Sequence, residues 1–339
     1  LTVNKALKAN SILMNTVDIK AKREREGMIE RIDARATTII PNASGNGVEA
    51  TIKTLPFVSS NNELSSTYSV RGGNYDENLV YVNGIEIYRP FLVRSGQQEG
   101  LSFINSDLVS SIAFSAGGFS ASYGDKLSSV LDIKYKKPDK FSGSVYASLL
   151  GAGFHLEGVT KKKKTNYLLG FRQKSNQFVL KNLDTKGEYK PSFTDVQGLV
   201  NFSLSRKTEL SVLGNYSRNR YEVIPTDRET EFGNINEALK FTVFFEGKEV
   251  DRYAATQGAI SLRHQVDSNL QIRFTTGAFY TKEQEYFDII GAYSLDELEK
   301  DFGSGDFGEV AFNRGVGAFL NHARNDLEAL VYYGEHRGL

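Results

Sequence analysis

The sequence predicts an N-terminal α+β domain followed by amphipathic antiparallel strands of the kind that build a membrane β-barrel. Three observations predict it. Segments of about ten residues with a two-residue hydrophobic period recur after residue 140. The links between them are either short, as at Ser205-Arg206-Lys207 and Asp267-Ser268-Asn269, or long, at 220–251 and 287–313. The 339 residues include 17 Tyr, 22 Phe and 31 Gly but only 6 Pro, which favours strands and tight turns over helical bundles. A soluble β-sandwich also alternates. Short turns at one rim and long loops at the other are the more specific mark of a barrel.

The elements follow in order. Residues 1–14 alternate loosely and are expected to be the end of a small β-domain. Residues 15–21 form a short extended segment, followed by the charged run Lys22-Arg23-Glu24-Arg25-Glu26. Val48, Ile52 and Leu55 have helical spacing, and Pro56 ends that helix. Short strands are expected at 68–71, 79–83, 85–88, 112–116 and 130–135. Asn83-Gly84, between Leu79-Val80-Tyr81-Val82 and Ile85-Glu86-Ile87-Tyr88, is the strongest hairpin signal in the chain. After Lys136-Lys137-Pro138 one long strand is expected over 145–159, a turn at 161–164, and further strands at 167–171, 196–204, 209–218, 254–266, 270–280, 316–323 and 327–333. In 270–280 the alternation puts Leu270, Ile272, Phe274, Ala278 and Tyr280 on one face, opposite Gln271 and Arg273.

Composition excludes several functions. Lys+Arg and Asp+Glu number 41 each, so no basic excess suits the chain to nucleic acid. With no Cys there is no disulfide framework and no thiolate chemistry. The longest uncharged stretch, 108–124, carries five Ser and three Gly and cannot form a spanning helix. His155, His264, His322 and His336 lie far apart with no zinc spacing. No cofactor and no metal site is expected. Gly303-Ser304-Gly305-Asp306-Phe307-Gly308 fits G-x-G-x-x-G but follows a charged segment and opens no helix, so it reads as a loop. No carboxylate pair or nucleophile is positioned for catalysis, and an enzyme is not expected.

The segment Tyr68-Ser69-Val70-Arg71-Gly72-Gly73 resembles the first plug motif of TonB-dependent outer-membrane receptors, in the form found in Bacteroidota. Leu79-Val80-Tyr81-Val82-Asn83-Gly84-Ile85 is similar to the family's plug hairpin, with Asn83 where Asp is usual. Gly118-Phe119-Ser120-Ala121-Ser122-Tyr123-Gly124 followed by Val130-Leu131-Asp132-Ile133 resembles the motif that closes the plug. Ser128-Ser129 stands where the family has Gly-Gly. Upstream, Asn15, Thr16, Val17, Asp18, Ile19, Lys20 and Ala21 look like the energy-coupling segment, the TonB box.

The resemblance implies a fold class: a membrane β-barrel of about 22 antiparallel strands when complete, with an N-terminal α+β plug filling its lumen. Only the first roughly eight strands lie in this chain, too few to enclose a plug. The expected division is 1–14 periplasmic β-domain end, 15–26 coupling segment and linker, 27–138 plug, and 139–339 early barrel. Arg71, Gly72, Gly73, Asn83, Gly84, Tyr123 and Gly124 are then plug architecture, with Arg71 expected to pair with a barrel-wall carboxylate. Tyr88, Arg89, Arg94, Gln97 and Gln98 form a plug apex facing the outside, either touching ligand or packing on the wall. The implied location is the outer membrane. Implied partners are TonB with ExbB/ExbD, outer-membrane lipid and a surface lipoprotein, and no nucleic acid. TonB would capture residues 15–21 by strand addition. Two other readings stay open: a plugged barrel serving another envelope complex, and a surface β-rich adhesin.

Overall fold

The computed structural model describes residues 29–40, 47–60, 66–90, 102–120, 122–175, 187–234 and 236–338. The segments 1–14 and 15–21, and Arg94, Gln97 and Gln98, lie outside them. Among the described residues no helix is long and apolar enough to cross a membrane.

The N-terminal unit contains β1 (Ile29–Asp33), α1 (Ala36–Ile39), α2 (Gly47–Ile52), β2 (Val58–Ser59), β3 (Ser69–Val70), β4 (Asn78–Val82), β5 (Ile85–Glu86), β6 (Val109–Ser115) and β7 (Ser129–Tyr135). Five of these strands form a sheet in the order β1-β6-β7-β4-β5, in which only β4 and β7 run parallel. β1 is an edge strand that the hydrophobic pattern did not disclose. Asn83 and Gly84 turn β4 into β5 with φ of 53° and 78°, the left-handed pair a two-residue hairpin requires. Val48 and Ile52 on α2, Val80 and Val82 on β4, and Leu131 and Ile133 on β7 are all buried in one core. The helix ends at Ile52, earlier than its apolar spacing suggested, and Leu55 packs on that core from beyond the last turn.

The second unit is an antiparallel meander of eight strands. They are β8 (Ser142–Ser148), β9 (Gly151–Val159), β10 (Thr165–Lys174), β12 (Ser192–Ser203), β13 (Thr208–Pro225), β15 (Glu237–Gln265), β16 (Gln271–Leu298) and β17 (Val310–Gly338). Two short strands sit off this path: β11 (Gly187–Tyr189) on β13, and β14 (Arg228–Asn234) on β15. The expected number of strands is present, but not from the expected segments. The single strand expected over 145–159 is two, split at Leu149-Leu150; an apolar two-residue turn leaves no break in the hydrophobic pattern. The segments at 316–323 and 327–333 are one strand, because Asn325 and Asp326 interrupt apolarity without interrupting pairing with β16. The expected long loops at 220–251 and 287–313 are largely strand as well. β15, β16 and β17 run 28 or 29 residues each, and the loop between β16 and β17 is 299–309, which contains the glycine-rich 303–308. Their outer halves mix apolar residues such as Phe241, Phe244, Ile289 and Ile290 with charged ones on both faces, so no two-residue period marks them as strand although the pairing continues.

The two faces of the meander differ in kind. In β12, Phe193, Asp195, Gln197, Leu199 and Asn201 are buried on the inward face, whereas Val196, Val200 and Phe202 face away. The outward residues fall into rows across the strands. Phe202, Leu210, Leu262 and Phe274 form one row, and Val196, Tyr216, Thr256 and Tyr280 another. Six residues separate Phe274 from Tyr280, about 20 Å of strand. Just past the second row stand Arg218, Ala254, Lys282 and Glu328, with Lys282 Nζ 2.6 Å from Glu328. An apolar band bounded by aromatic rows and then by charge is the lipid-facing surface of a barrel. Inside, the wall is not uniformly polar. Leu168, Leu199, Leu213 and Ala259 form one register row that is continuous with the plug core.

Ile260 lies in the outward band, 49% exposed. Ile260→Arg should destabilise the full-length barrel by about 2–4 kcal/mol in lipid, as measured by denaturant unfolding from vesicles. An unchanged stability would mean that this face is not in hydrocarbon.

Candidate functional site

The seam between the two units is organised by one guanidinium. Strand parity places Arg172 of β10 on the inward face, between Gly170 and Lys174. A side chain at position 170 would collide with Asn105 of the plug, so glycine there lets the loop 102–105 approach the wall. Arg172 then donates from Nη1 to the Ile104 carbonyl at 2.8 Å and from Nη2 to that of Ser102 at 2.8 Å. Its Nε donates to Asp195 Oδ1 at 3.0 Å, completing a fork whose charge is almost wholly buried.

The network spreads from both ends of that pair. Gln197 Nε2 donates to Asp195 Oδ2 at 3.0 Å and to the carbonyl of Phe103, while its Oε1 accepts from the Tyr135 hydroxyl at 2.6 Å. On the plug side the Ser102 hydroxyl donates to Glu49 on α2. Glu49 is buried, and its Oε2 has no hydrogen-bond partner. Burial pushes its carboxyl up to about 7, against the smaller opposing pull of Ser102 and Arg172. Burial also raises the Tyr135 phenol well above its usual range. None of Glu49, Arg172, Asp195 or Gln197 was singled out from sequence. The available signal was parity: Arg172, Asp195 and Gln197 sit opposite Phe171 and Val196 in their strands.

Of the expected apex residues, the structure describes Tyr88 and Arg89. The Tyr88 ring lies 5.9 Å from Phe279 and 5.3 Å from Tyr333, and Arg89 Nη1 pairs with Glu283 at 2.5 Å. Both therefore pack on the wall, and both also line a cavity of about 50 Å³ shared with Phe103, Asn219, Tyr253 and Glu283. Above it Phe193, Tyr221 and Tyr253 are buried in an aromatic cluster, with ring centroids 5.4 and 6.0 Å apart.

The expected plug residues are spread through the N-terminal unit. Arg71 is exposed with its Cζ 5.0 Å from the Phe57 ring of its own unit, and it pairs with no wall carboxylate among the described residues. The physical reason is local: Arg71 and Gly72 have φ of 52° and 83°, a left-handed turn that folds the side chain back on its own domain. Gly73 packs against Ser128 and Glu77, where a β-carbon would not fit. The Tyr123 hydroxyl donates to Asp132 Oδ2 at 3.0 Å and its ring stacks near Tyr81 at 5.3 Å, tying the closing motif to the sheet. Gly124 is exposed. Among the described residues no three His, Asp or Glu side chains group as metal ligands.

Residues 29–129 match the family model of the TonB-dependent receptor plug domain. No curated protein matches the chain. Among solved structures, a mutant ferric enterobactin receptor from Pseudomonas aeruginosa is 13% identical, with a TM-score of 0.42, covering 89% of this chain and 59% of that one. The siderophore receptor PirA from Acinetobacter baumannii is 12% identical, TM-score 0.43, with 91% and 56% covered. The ferripyoverdine receptor of the P. aeruginosa outer membrane is 12% identical, TM-score 0.44, with 94% and 53% covered. The chain thus spans less than two thirds of the length of these receptors. It carries a plug domain of the TonB-dependent receptor family followed by barrel strands, and it is an outer-membrane protein.

Two outcomes follow from the seam. Arg172→Ala strands the buried carboxylate of Asp195, so thermal unfolding of the full-length protein should show a loss of about 3–5 kcal/mol. Glu49 binds its proton more tightly folded than unfolded. It therefore costs nothing below its unfolded value of 4.5, and the penalty grows as pH rises from there to about 7. Plug stability should fall by on the order of 3 kcal/mol across that window, and Glu49→Gln should flatten the dependence.

Proposed function

We propose that this chain is the plug and early barrel of a TonB-dependent receptor of the Bacteroidota type, which binds a ligand from outside and imports it. Residues 15–21 are read as the segment that TonB grips, energised by ExbB/ExbD, with force reaching the plug through the linker to β1. The observation that supports transport best is the character of the seam. The plug is held to the wall by directional contacts from a few side chains: Arg172 and Gln197 on the loop 102–104, Gln257 Nε2 on the Glu86 carbonyl at 2.7 Å, and Arg89 on Glu283. Such contacts hold the plug in one place, and water can take them over once a pull displaces it. The cavity between Tyr88, Arg89 and the wall then marks the floor of the ligand site, with Tyr253 and Phe193 above it. A surface lipoprotein capping the barrel belongs to the same reading.

The test is uptake in cells carrying the full-length protein. Val17→Pro removes a backbone N–H and disfavours strand addition, so ligand accumulation should fall at least tenfold while surface binding stays within twofold. Undiminished uptake would sink the assignment of residues 15–21. Co-purification with large, unrelated envelope subunits and without a ligand would sink the importer reading itself.

A further inference from the structure

At the short-turn end of the meander, four inward-facing positions share one register row: Glu209 on β13, Arg263 on β15, Arg273 on β16 and Arg337 on β17. Three guanidinium groups side by side on adjacent strands repel one another, an arrangement that is costly unless negative charge lies among them. The protein supplies little. Glu209 is shared between Arg263, at 3.2 Å, and Lys137, at 2.7 Å. Arg337 is paired with Glu335 and lies over the Tyr81 ring. Lys134 is paired with Asp132 at 3.0 Å. Arg273, in the middle of the row, makes no hydrogen bond and no ion pair among the described residues. Its guanidinium is wedged against Gly84 of the plug hairpin, where a β-carbon would collide with it.

Beside Arg273 lies a cavity of about 130 Å³ between the hairpin turn and the wall. Its lining is entirely polar, with Lys134, Lys137, Arg263 and Arg273 against the single carboxylate Glu209, and Asn83 and Ser261 among the uncharged groups. We infer that this cavity is an oxyanion site that takes a phosphate group, either free phosphate or the terminal phosphate of a small molecule. A multiply charged tetrahedral anion matches four cations facing one acid. The planar fork of an otherwise unpaired arginine suits its oxygens in a way a lone ammonium does not. Because Lys134 and Lys137 come from the plug side and Arg263 and Arg273 from the wall, a bound phosphate bridges the two units at the Asn83-Gly84 turn. The site lies at the opposite end of the plug from the Tyr88 cavity and does not depend on what enters there.

The experiment is calorimetric titration of inorganic phosphate into the full-length receptor in detergent at constant ionic strength. Chloride and glycerol phosphate titrations run beside it. One saturable site per chain is expected, absent with chloride. Competition by glycerol phosphate would assign the site to phosphate monoesters as well, and its failure to compete would restrict it to the free anion. Arg273→Gln should weaken binding roughly tenfold or more, the loss expected for a charge-assisted hydrogen-bonding group. Arg273→Lys should recover part of it, and Lys162→Gln, in a turn of the meander, should change nothing. Lys137 is exposed, so Lys137→Gln tests the site with a variant that leaves the buried wall intact, and a several-fold loss is expected. No saturable phosphate binding, or binding that neither Arg273→Gln nor Lys137→Gln weakens, would overturn the inference. So would a carboxylate from elsewhere in the full chain filling the cavity.

Discussion

The guanidinium of Arg172 is almost wholly buried, and its charge constrains the whole seam. A cation in such a place is tolerable only if it is paired and hydrogen-bonded, and here Asp195 and the carbonyls of Ser102 and Ile104 engage all three of its nitrogens. Meeting that requirement dictates the neighbours. Glycine at position 170 leaves room for the Asn105 side chain of the loop, and Gln197 satisfies the second oxygen of Asp195. Ser102, whose carbonyl is engaged by the wall, passes its hydroxyl to Glu49 in the plug interior. A plug seated by such contacts has one position with good geometry. Its retention rests on a few polar groups plus the apolar row of Leu168, Leu199 and Leu213.

The meander does two jobs with one period. Alternate residues look into lipid or onto the plug, so a single strand such as β12 carries Val196 and Val200 outward and Asp195 and Gln197 inward. The same strand pairing continues beyond the charged row at Lys282 for the length of β15, β16 and β17, where apolar and charged residues mix on both faces. Pairing there is sustained by main-chain hydrogen bonds and by cross-strand side-chain contacts such as Gln284 and Tyr286 with Asp326. The polar ends of the seam are of opposite character. Near Tyr88 the wall offers aromatic rings and a carboxylate already paired with Arg89. At the hairpin turn it offers a row of arginines with too few acids.

Some of this was legible from the residues themselves and some was not. Asn83-Gly84 announced its hairpin because only residues tolerant of positive φ close a two-residue turn. The plug motifs likewise carry backbone demands, at Gly72 and Gly84, that belong to their own few residues. Strand 270–280 declared its outward face because hydrocarbon requires Phe274 and Tyr280 there. By contrast, the turn at Leu149-Leu150 is apolar and the outer half of β16 mixes polar and apolar residues on both sides. Hydrophobic period was silent about the first and misleading about the second.

What the sequence determined by itself is local or periodic: the hairpin, the two-unit organisation, the order of the plug elements and the face each barrel strand turns to lipid. What only the tertiary structure decided is which inward residue meets which. Arg172 finds Asp195 because β10 and β12 are in register, and it finds the loop 102–104 because the plug is seated at one height in the wall. Arg263, Arg273 and Arg337 become a row only when β15, β16 and β17 pair as they do. A one-residue slip in register would scatter all of these contacts. Register and docking height are properties of the assembled sheet, fixed by long-range pairing that no short stretch of residues contains.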